Sequence, residues 1–132
     1  MRKSMKMLGL AAIVLIAAGV IGCKKDSTSS SKSSLLTKSA WKYTSILVSG
    51  GEDIADCEKD DIETYNSNGS YSFNEGTDDC GGGNYSGLWR LISNDTKIIY
   101  DETDTANIIT LDDNTFKFAY TDDASTVFIL KH

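Results

Sequence analysis

Ile62-Glu63-Thr64-Tyr65-Asn66-Ser67-Asn68-Gly69-Ser70-Tyr71-Ser72-Phe73 reads as two short β-prone runs around an Asn-Gly turn. Asn-Gly between such runs is a strong local hairpin signal, because tight hairpin turns need a left-handed backbone that Asn and Gly tolerate. If Asn68-Gly69 is a two-residue loop, the numbers of paired residues sum to 137; a three-residue loop shifts that sum by one. Cys57 and Cys80 also sum to 137. Either register therefore brings the two cysteines near each other at the open end of one hairpin.

Outward from this hairpin, the chain continues as strand and turn. Trp41–Val48 is apolar and β-rich and stops at Gly50-Gly51. Tyr85–Ser93 follows Gly81-Gly82-Gly83 and turns at Asn94-Asp95 into Thr96–Asp101. Ala106–Leu111 turns at Asp112-Asp113-Asn114 into Phe116–Thr121, which turns at Asp122-Asp123 into Thr126–Lys131. With the hairpin, that makes eight strands, nearly all joined by hairpin-length turns. Ser34–Ser39 is expected to form one short turn of helix before the first strand. There is no proline anywhere.

Alternation assigns the faces. Phe116, Phe118 and Tyr120 share one side of their strand, opposite Thr115, Lys117 and Thr121. Tyr85, Gly87, Trp89 and Leu91 share a side, as do Trp41, Tyr43 and Leu47, and Tyr71 and Phe73. Each strand thus has an apolar, aromatic face and a largely polar one. The expected fold is all-β, an eight-stranded antiparallel up-and-down barrel, which closes on itself and loses its edges. A two-sheet sandwich carries the same local signals. The barrel is preferred because almost every strand turns tightly into its neighbour.

The N-terminus has a different character. Arg2, Lys3 and Lys6 precede an apolar run from Met7 to Ile21, which ends at Val20-Ile21-Gly22-Cys23. That order is the layout of a secretory signal peptide. A transmembrane anchor needs roughly 20 apolar residues, and this run is shorter and broken by Gly9 and Gly19. The last four residues resemble the lipobox of bacterial lipoproteins. The resemblance implies removal of residues 1–22, lipidation of Cys23 and attachment to a membrane of the cell envelope, with the outer membrane of a Gram-negative bacterium as the expected address. Residues 23–34 then form the lipidated Cys and a Ser-rich linker, Lys24-Lys25-Asp26-Ser27-Thr28-Ser29-Ser30-Ser31-Lys32-Ser33-Ser34, too polar to order itself. Residues 35–132 are left as one domain of a size that folds alone with a small margin.

Losing the signal removes three of the 13 basic residues and none of the 19 acidic ones, taking the net charge from −6 to −9. Such a body is a poor partner for nucleic acid or anionic lipid, so contact with the membrane is expected only through the anchor. With Cys23 acylated, an exported chain retains Cys57 and Cys80, and an oxidising compartment normally bridges such a pair. A metal site or catalytic thiol are the alternatives. Both are poor, because the only histidine is the terminal His132.

Several further pieces, in order, are similar to the small lipocalin-like lipoproteins. Leu36-Thr37-Lys38-Ser39-Ala40-Trp41-Lys42 looks like their opening, and Cys57-Glu58-Lys59-Asp60-Asp61 like their Cys-x-x-Asp-Asp step. Tyr71–Gly76 with Cys80 resembles the next strand and second cysteine, and Gly87-Leu88-Trp89-Arg90-Leu91 the Gly-x-Trp-x-Leu strand. Ile108-Ile109-Thr110-Leu111 and Asn114-Thr115-Phe116 look like the closing pattern. The resemblance implies a lipocalin-like β-barrel on a lipid anchor and brings no catalytic residues.

Function classes narrow accordingly. Enzymatic chemistry needs a base, a nucleophile or a metal cluster, and none is evident; no cofactor is expected. Asp56, Glu58, Asp60 and Asp61, and Asp101, Glu102 and Asp104, are candidate calcium clusters that lack an Asp-x-Asp-x-Asp-Gly loop. An eight-stranded barrel is just wide enough to be filled by side chains or to hold one small ligand. Trp41, Tyr71, Phe73, Trp89, Phe116, Phe118 and Tyr120 are the expected lining for a small apolar ligand, or else the packed core. The alternative is a tethered module with a sealed core that binds a protein or glycan through the loops 49–61 and 75–84; the identity of any protein partner is open.

Overall fold

The computed structural model of the chain describes residues 30–132. Cys23, the signal segment 1–22 and most of the Ser-rich tract lie outside the described residues. Among the described residues, no helix is long and apolar enough to cross a membrane.

The elements follow in order: α1 (Lys32–Leu36), β1 (Trp41–Val48), β2 (Gly51–Glu52), a 3-10 turn (Asp56–Glu58), β3 (Ile62–Tyr65), β4 (Ser70–Asn74), β5 (Tyr85–Ile92), β6 (Lys97–Tyr100), β7 (Asp104–Leu111), β8 (Thr115–Tyr120) and β9 (Thr126–Lys131). Each strand from β3 to β9 pairs antiparallel with the next, β1 pairs with β3, and β9 returns to β1. The result is the expected closed eight-stranded barrel of β1 and β3–β9. The two-residue β2 is an addition, folded back on the end of β1 by Ser49 and Gly50. Both have positive φ, 52° and 84°, as a two-residue hairpin loop with matching twist requires.

The β3–β4 hairpin takes the three-residue form of its turn. Tyr65 pairs with Tyr71 and Ile62 with Asn74. The Asn66 N–H donates to the Ser70 carbonyl at 2.8 Å and the Gly69 N–H to the Asn66 carbonyl at 3.0 Å. Gly69 occupies the left-handed position (φ 85°), and the Asn68 carboxamide oxygen accepts from the Ser70 N–H at 2.9 Å. Beyond the open end of this hairpin, Cys57 and Cys80 are joined as a disulfide with Cα atoms 5.5 Å apart.

Two bulges reset the alternation. In β1 the register shifts between Tyr43 and Ser45. The extra residue reverses parity, so Ile46 turns inward (9% exposed) and Leu47, expected on the face of Trp41 and Tyr43, does not join that core. In β7 the shift between Ile108 and Thr110 leaves Ile109 half-exposed, while Ile108 and Leu111 pack against the core.

One end of the barrel is plugged. The short helix starts slightly earlier than expected, at Lys32, where the Ser31 side chain caps it by accepting from the Ser34 N–H at 3.1 Å. It carries Leu36 to full burial, and the Trp41 indole N–H donates to the Leu36 carbonyl at 3.0 Å. The His132 ring lies against Trp41 with centroids 3.7 Å apart. The opposite end carries the two long connections, β2–β3 and β4–β5, and stays open.

Candidate functional site

Alternation in β3 runs through Tyr65, so Glu63 and Asp61 share its inward face. Both are buried, at 3% and 5% exposure. Glu63 sits in the middle of the barrel. Its carboxylate accepts from the Tyr43 hydroxyl at 2.5 Å and from the Tyr65 hydroxyl. Tyr65 and Tyr100 hydroxyls are 2.7 Å apart. A phenol has one proton to give; Tyr65 gives its own to Glu63, so Tyr100 donates to Tyr65. The chain of donors thus runs Tyr100 to Tyr65 to Glu63, with Tyr43 arriving from the other side. Burial pushes the Glu63 carboxyl above the usual carboxylate range, and the two phenol hydrogen bonds pull it partly back. Burial and then the Glu63 charge push the Tyr43 and Tyr65 phenols well up, which keeps them protonated and donating.

Below this network the interior is filled by rings. Phe116 meets Trp41 and Tyr65 edge-on, with centroids at 5.8 and 6.0 Å, and lies tilted against Phe118 at 4.8 Å. Trp89 packs edge-on against Tyr65 at 5.4 Å, and its indole N–H donates to the Asn66 and Ser70 carbonyls at 3.2 and 3.0 Å.

Above it, at the open end, lies a cup of about 250 Å³ lined by Tyr43, Ile46, Glu58, Asp61, Phe73, Tyr85, Tyr120 and Phe128. Its rings stand at steep angles to one another. Tyr43 makes 77° with Phe73 and 88° with Phe128, and Tyr120 makes 83° with Phe128. Tyr85 stacks on Phe73 at 4.8 Å. Asp61 accepts from the Gly76 N–H at 3.3 Å. Burial, and the neighbouring charges of Glu75, Asp60 and Glu58, raise its carboxyl above the ordinary value. The Tyr85 phenol is pushed up to about 12, by burial first and then by Glu63 and Asp61. A slightly larger hollow of about 280 Å³ lies at the plugged end, outside the barrel, between α1 and the β3–β4 and β5–β6 turns. The cup is the better candidate site, because it combines aromatic walls with carboxylates at the end the long loops leave open.

The loops around the cup are held by acid side chains acting on backbone. Asp60 accepts from the Thr77 N–H at 2.6 Å and the Asp78 N–H at 3.3 Å. Glu75 accepts from the Gly82 and Gly83 N–H groups at 2.7 and 2.6 Å. In the second acidic cluster, Asp101 accepts from the Leu88 N–H at 2.7 Å, and Glu102 forms a paired contact with Arg90 at 2.7 and 2.5 Å. Among the described residues, no three acidic, histidine or cysteine side chains converge to hold a metal ion.

All seven residues expected to line the interior join the core or pack against it. Trp41, Phe116 and Phe118 are fully buried, and Tyr71 and Trp89 are 7% exposed, all within the packed section. Only Phe73 and Tyr120 reach the cup. Tyr43, Ile46, Tyr85, Phe128, Asp61 and Glu58 complete it. Asp61 and Glu63 are inward residues that residue type alone conceals; their alternation with Tyr65 at two-residue spacing is the available signal.

The sequence profile of the lipocalin-like domain matches residues 36–118. The structure is similar to the crystal structure of a DUF4847 family protein from Bacteroides vulgatus, with a TM-score of 0.57 and 12% identity, covering 74% of this chain and 94% of that one. At that identity the likeness speaks for the fold. The sequence matches no curated protein.

Proposed function

The chain belongs to the lipocalin-like domain family, and from that premise we propose that it is a membrane-anchored lipoprotein whose barrel binds a small, largely apolar ligand at its open mouth. The observation that carries this reading is the cup of about 250 Å³ walled by Tyr43, Phe73, Tyr85, Tyr120 and Phe128. Small-molecule sites are concave, mostly apolar and fitted with a few polar groups, and span roughly 300–1,000 Å³. The cup falls just below that range and suits a compact ligand. Attachment through lipidated Cys23 to the outer membrane would hold the barrel at the envelope on its Ser-rich tract.

A second reading, a tethered module that binds a protein or glycan by its loops, is favoured by the filled lower barrel, where Trp41, Tyr65, Phe116 and Phe118 leave no room. Native mass spectrometry of the protein purified from its own envelope separates the two. A discrete, heat-releasable adduct on the disulfide-bonded chain is expected. A bare mass that persists after incubation with a total small-molecule and lipid extract overturns ligand binding in favour of the loop-binding module.

A further inference from the structure

The cup has a sign as well as a shape. We propose that its ligand is a compact organic cation, a methylated ammonium or protonated amine not joined to a phosphate; this deepens the ligand-binding reading and rests on it. Three observations carry the inference. The first is geometric. Tyr43 stands nearly perpendicular to both Phe73 and Phe128, and Tyr120 to Phe128, so the rings wall the cup from several directions. A cation held over ring faces is attracted by their quadrupoles, and such ring boxes suit ammonium groups.

The second is the charge around the cup. Asp61 is buried at 5% exposure and lines the wall, and Glu58 lines the rim. Among the described residues, no lysine, arginine or histidine lines the cup. Lys59, which lies between the two acids in sequence, is turned to Asp56 at 2.6 Å. The Glu58 carboxylate is fixed through the Ala55 N–H, which donates to it at 2.7 Å. A buried carboxylate without a basic partner is costly, and a bound cation supplies one. The third is the Tyr43 wall, whose hydroxyl donates into Glu63. That donor is thus already engaged below the cup and is not turned to an anion within it.

The same acids discriminate between two sources of an ammonium group. A zwitterionic lipid headgroup brings a phosphate within a few bonds of its cation, and that phosphate would meet Glu58 at the rim, with Asp61 in the wall behind it. A free cation meets no such repulsion. The occupant is therefore assigned as the free cation.

The test is calorimetric titration of the full mature protein, in a non-ionic detergent, with choline, its neutral isostere 3,3-dimethylbutanol, and phosphocholine. Choline is expected to bind at least tenfold more tightly than either. In Asp61→Asn, which keeps an acceptor for the Gly76 N–H, the preference for choline over dimethylbutanol should collapse. In Tyr85→Leu, at a half-exposed position, choline should weaken several-fold, with dimethylbutanol little changed. Equal binding of choline and dimethylbutanol overturns the cation inference and leaves an apolar cup. Phosphocholine binding as tightly as choline overturns the assignment to a free cation in favour of a headgroup. Binding of neither choline nor dimethylbutanol overturns the cation inference alone; the ligand-binding reading falls only if the native mass is also bare.

Discussion

Tyr43 on β1 donates to Glu63 on β3 at 2.5 Å in the interior of the barrel, placing an acid where every neighbouring strand contributes rings. The pair ties together two strands that share only a short ladder, Trp41 with Glu63 and Lys42 with Ile62. It also sets the boundary between the filled lower barrel and the open cup.

The buried acid makes stability fall with rising pH. Burial holds the Glu63 carboxyl above its ordinary value. Between the unfolded value and the raised folded one, the native protein keeps a proton that the unfolded chain has released. This contribution to stability is complete below the unfolded value and is lost as pH rises through the folded one. Several surface acids, including Asp56, Asp60 and Glu102, are lowered by their partners and act in the opposite direction, so the comparison must be between variants. Glu63→Gln should be less sensitive than wild type to raising the pH from 4 to 8, and the difference between their melting temperatures, read by circular dichroism, should grow with pH. Parallel profiles would refute the assignment.

Cys57→Ser should cost about 3 kcal/mol, the chain-entropy estimate for closing a loop of this size, and reduction of the wild type should cost the same. Denaturant unfolding with and without reductant measures it. An unchanged midpoint would mean that the loops hold without their link.

Gly76 is a contact glycine. A Cβ built there falls 2.1 Å from the Asp60 carboxylate, which is fixed by the Thr77 and Asp78 N–H groups. Gly76→Ala must therefore displace Asp60 and strip those donors, and should lower the melting temperature. Gly51→Ala, whose Cβ meets only the Val48 carbonyl at 3.6 Å, is the control and should stay near wild type in thermal melts.

Gly69 takes the left-handed position of the β3–β4 turn, with φ at 85°. A β-branched Gly69→Val should destabilise by more than the roughly 1–2 kcal/mol that a left-handed backbone costs an ordinary residue, and Gly69→Asn by less, since Asn tolerates that region. Equal losses in equilibrium unfolding would count against the three-residue turn.

The strands and their closure were legible because alternation and turn chemistry are local. Phe116, Phe118 and Tyr120 show their face without any knowledge of the fold, and Asn68-Gly69 marks its hairpin. The number of residues in that turn was not legible: two- and three-residue loops share the same sequence signal, and the choice depends on pairing. The bulge in β1 was hidden for a related reason. Nothing in Tyr43-Thr44-Ser45 announces an extra residue, so Leu47 was expected where Ile46 stands. The site was read less well than the fold. The seven aromatics were correctly turned inward, but which of them border empty space depends on how the strands splay, and that is a tertiary property. Glu63 and Asp61 were missed because acids are assigned to solvent by residue type, although their spacing from Tyr65 argued otherwise.

The β1–β3 junction has one more consequence. Its ladder joins only Trp41 to Glu63 and Lys42 to Ile62, while β1 and β9 run together from Lys42–Lys131 to Val48–Thr126. Past Tyr43, β1 leaves β3 and turns to β2 instead. The barrel is therefore a ring with one seam, sewn at the plugged end and unsewn toward the mouth. The chain that spans the gap holds Cys57 and Asp60, each fastened to the β4–β5 connection. The closure of the ring at the mouth is thus carried by side chains rather than by a ladder, with the disulfide and Asp60 as the straps that tie the spanning chain to the β4–β5 connection.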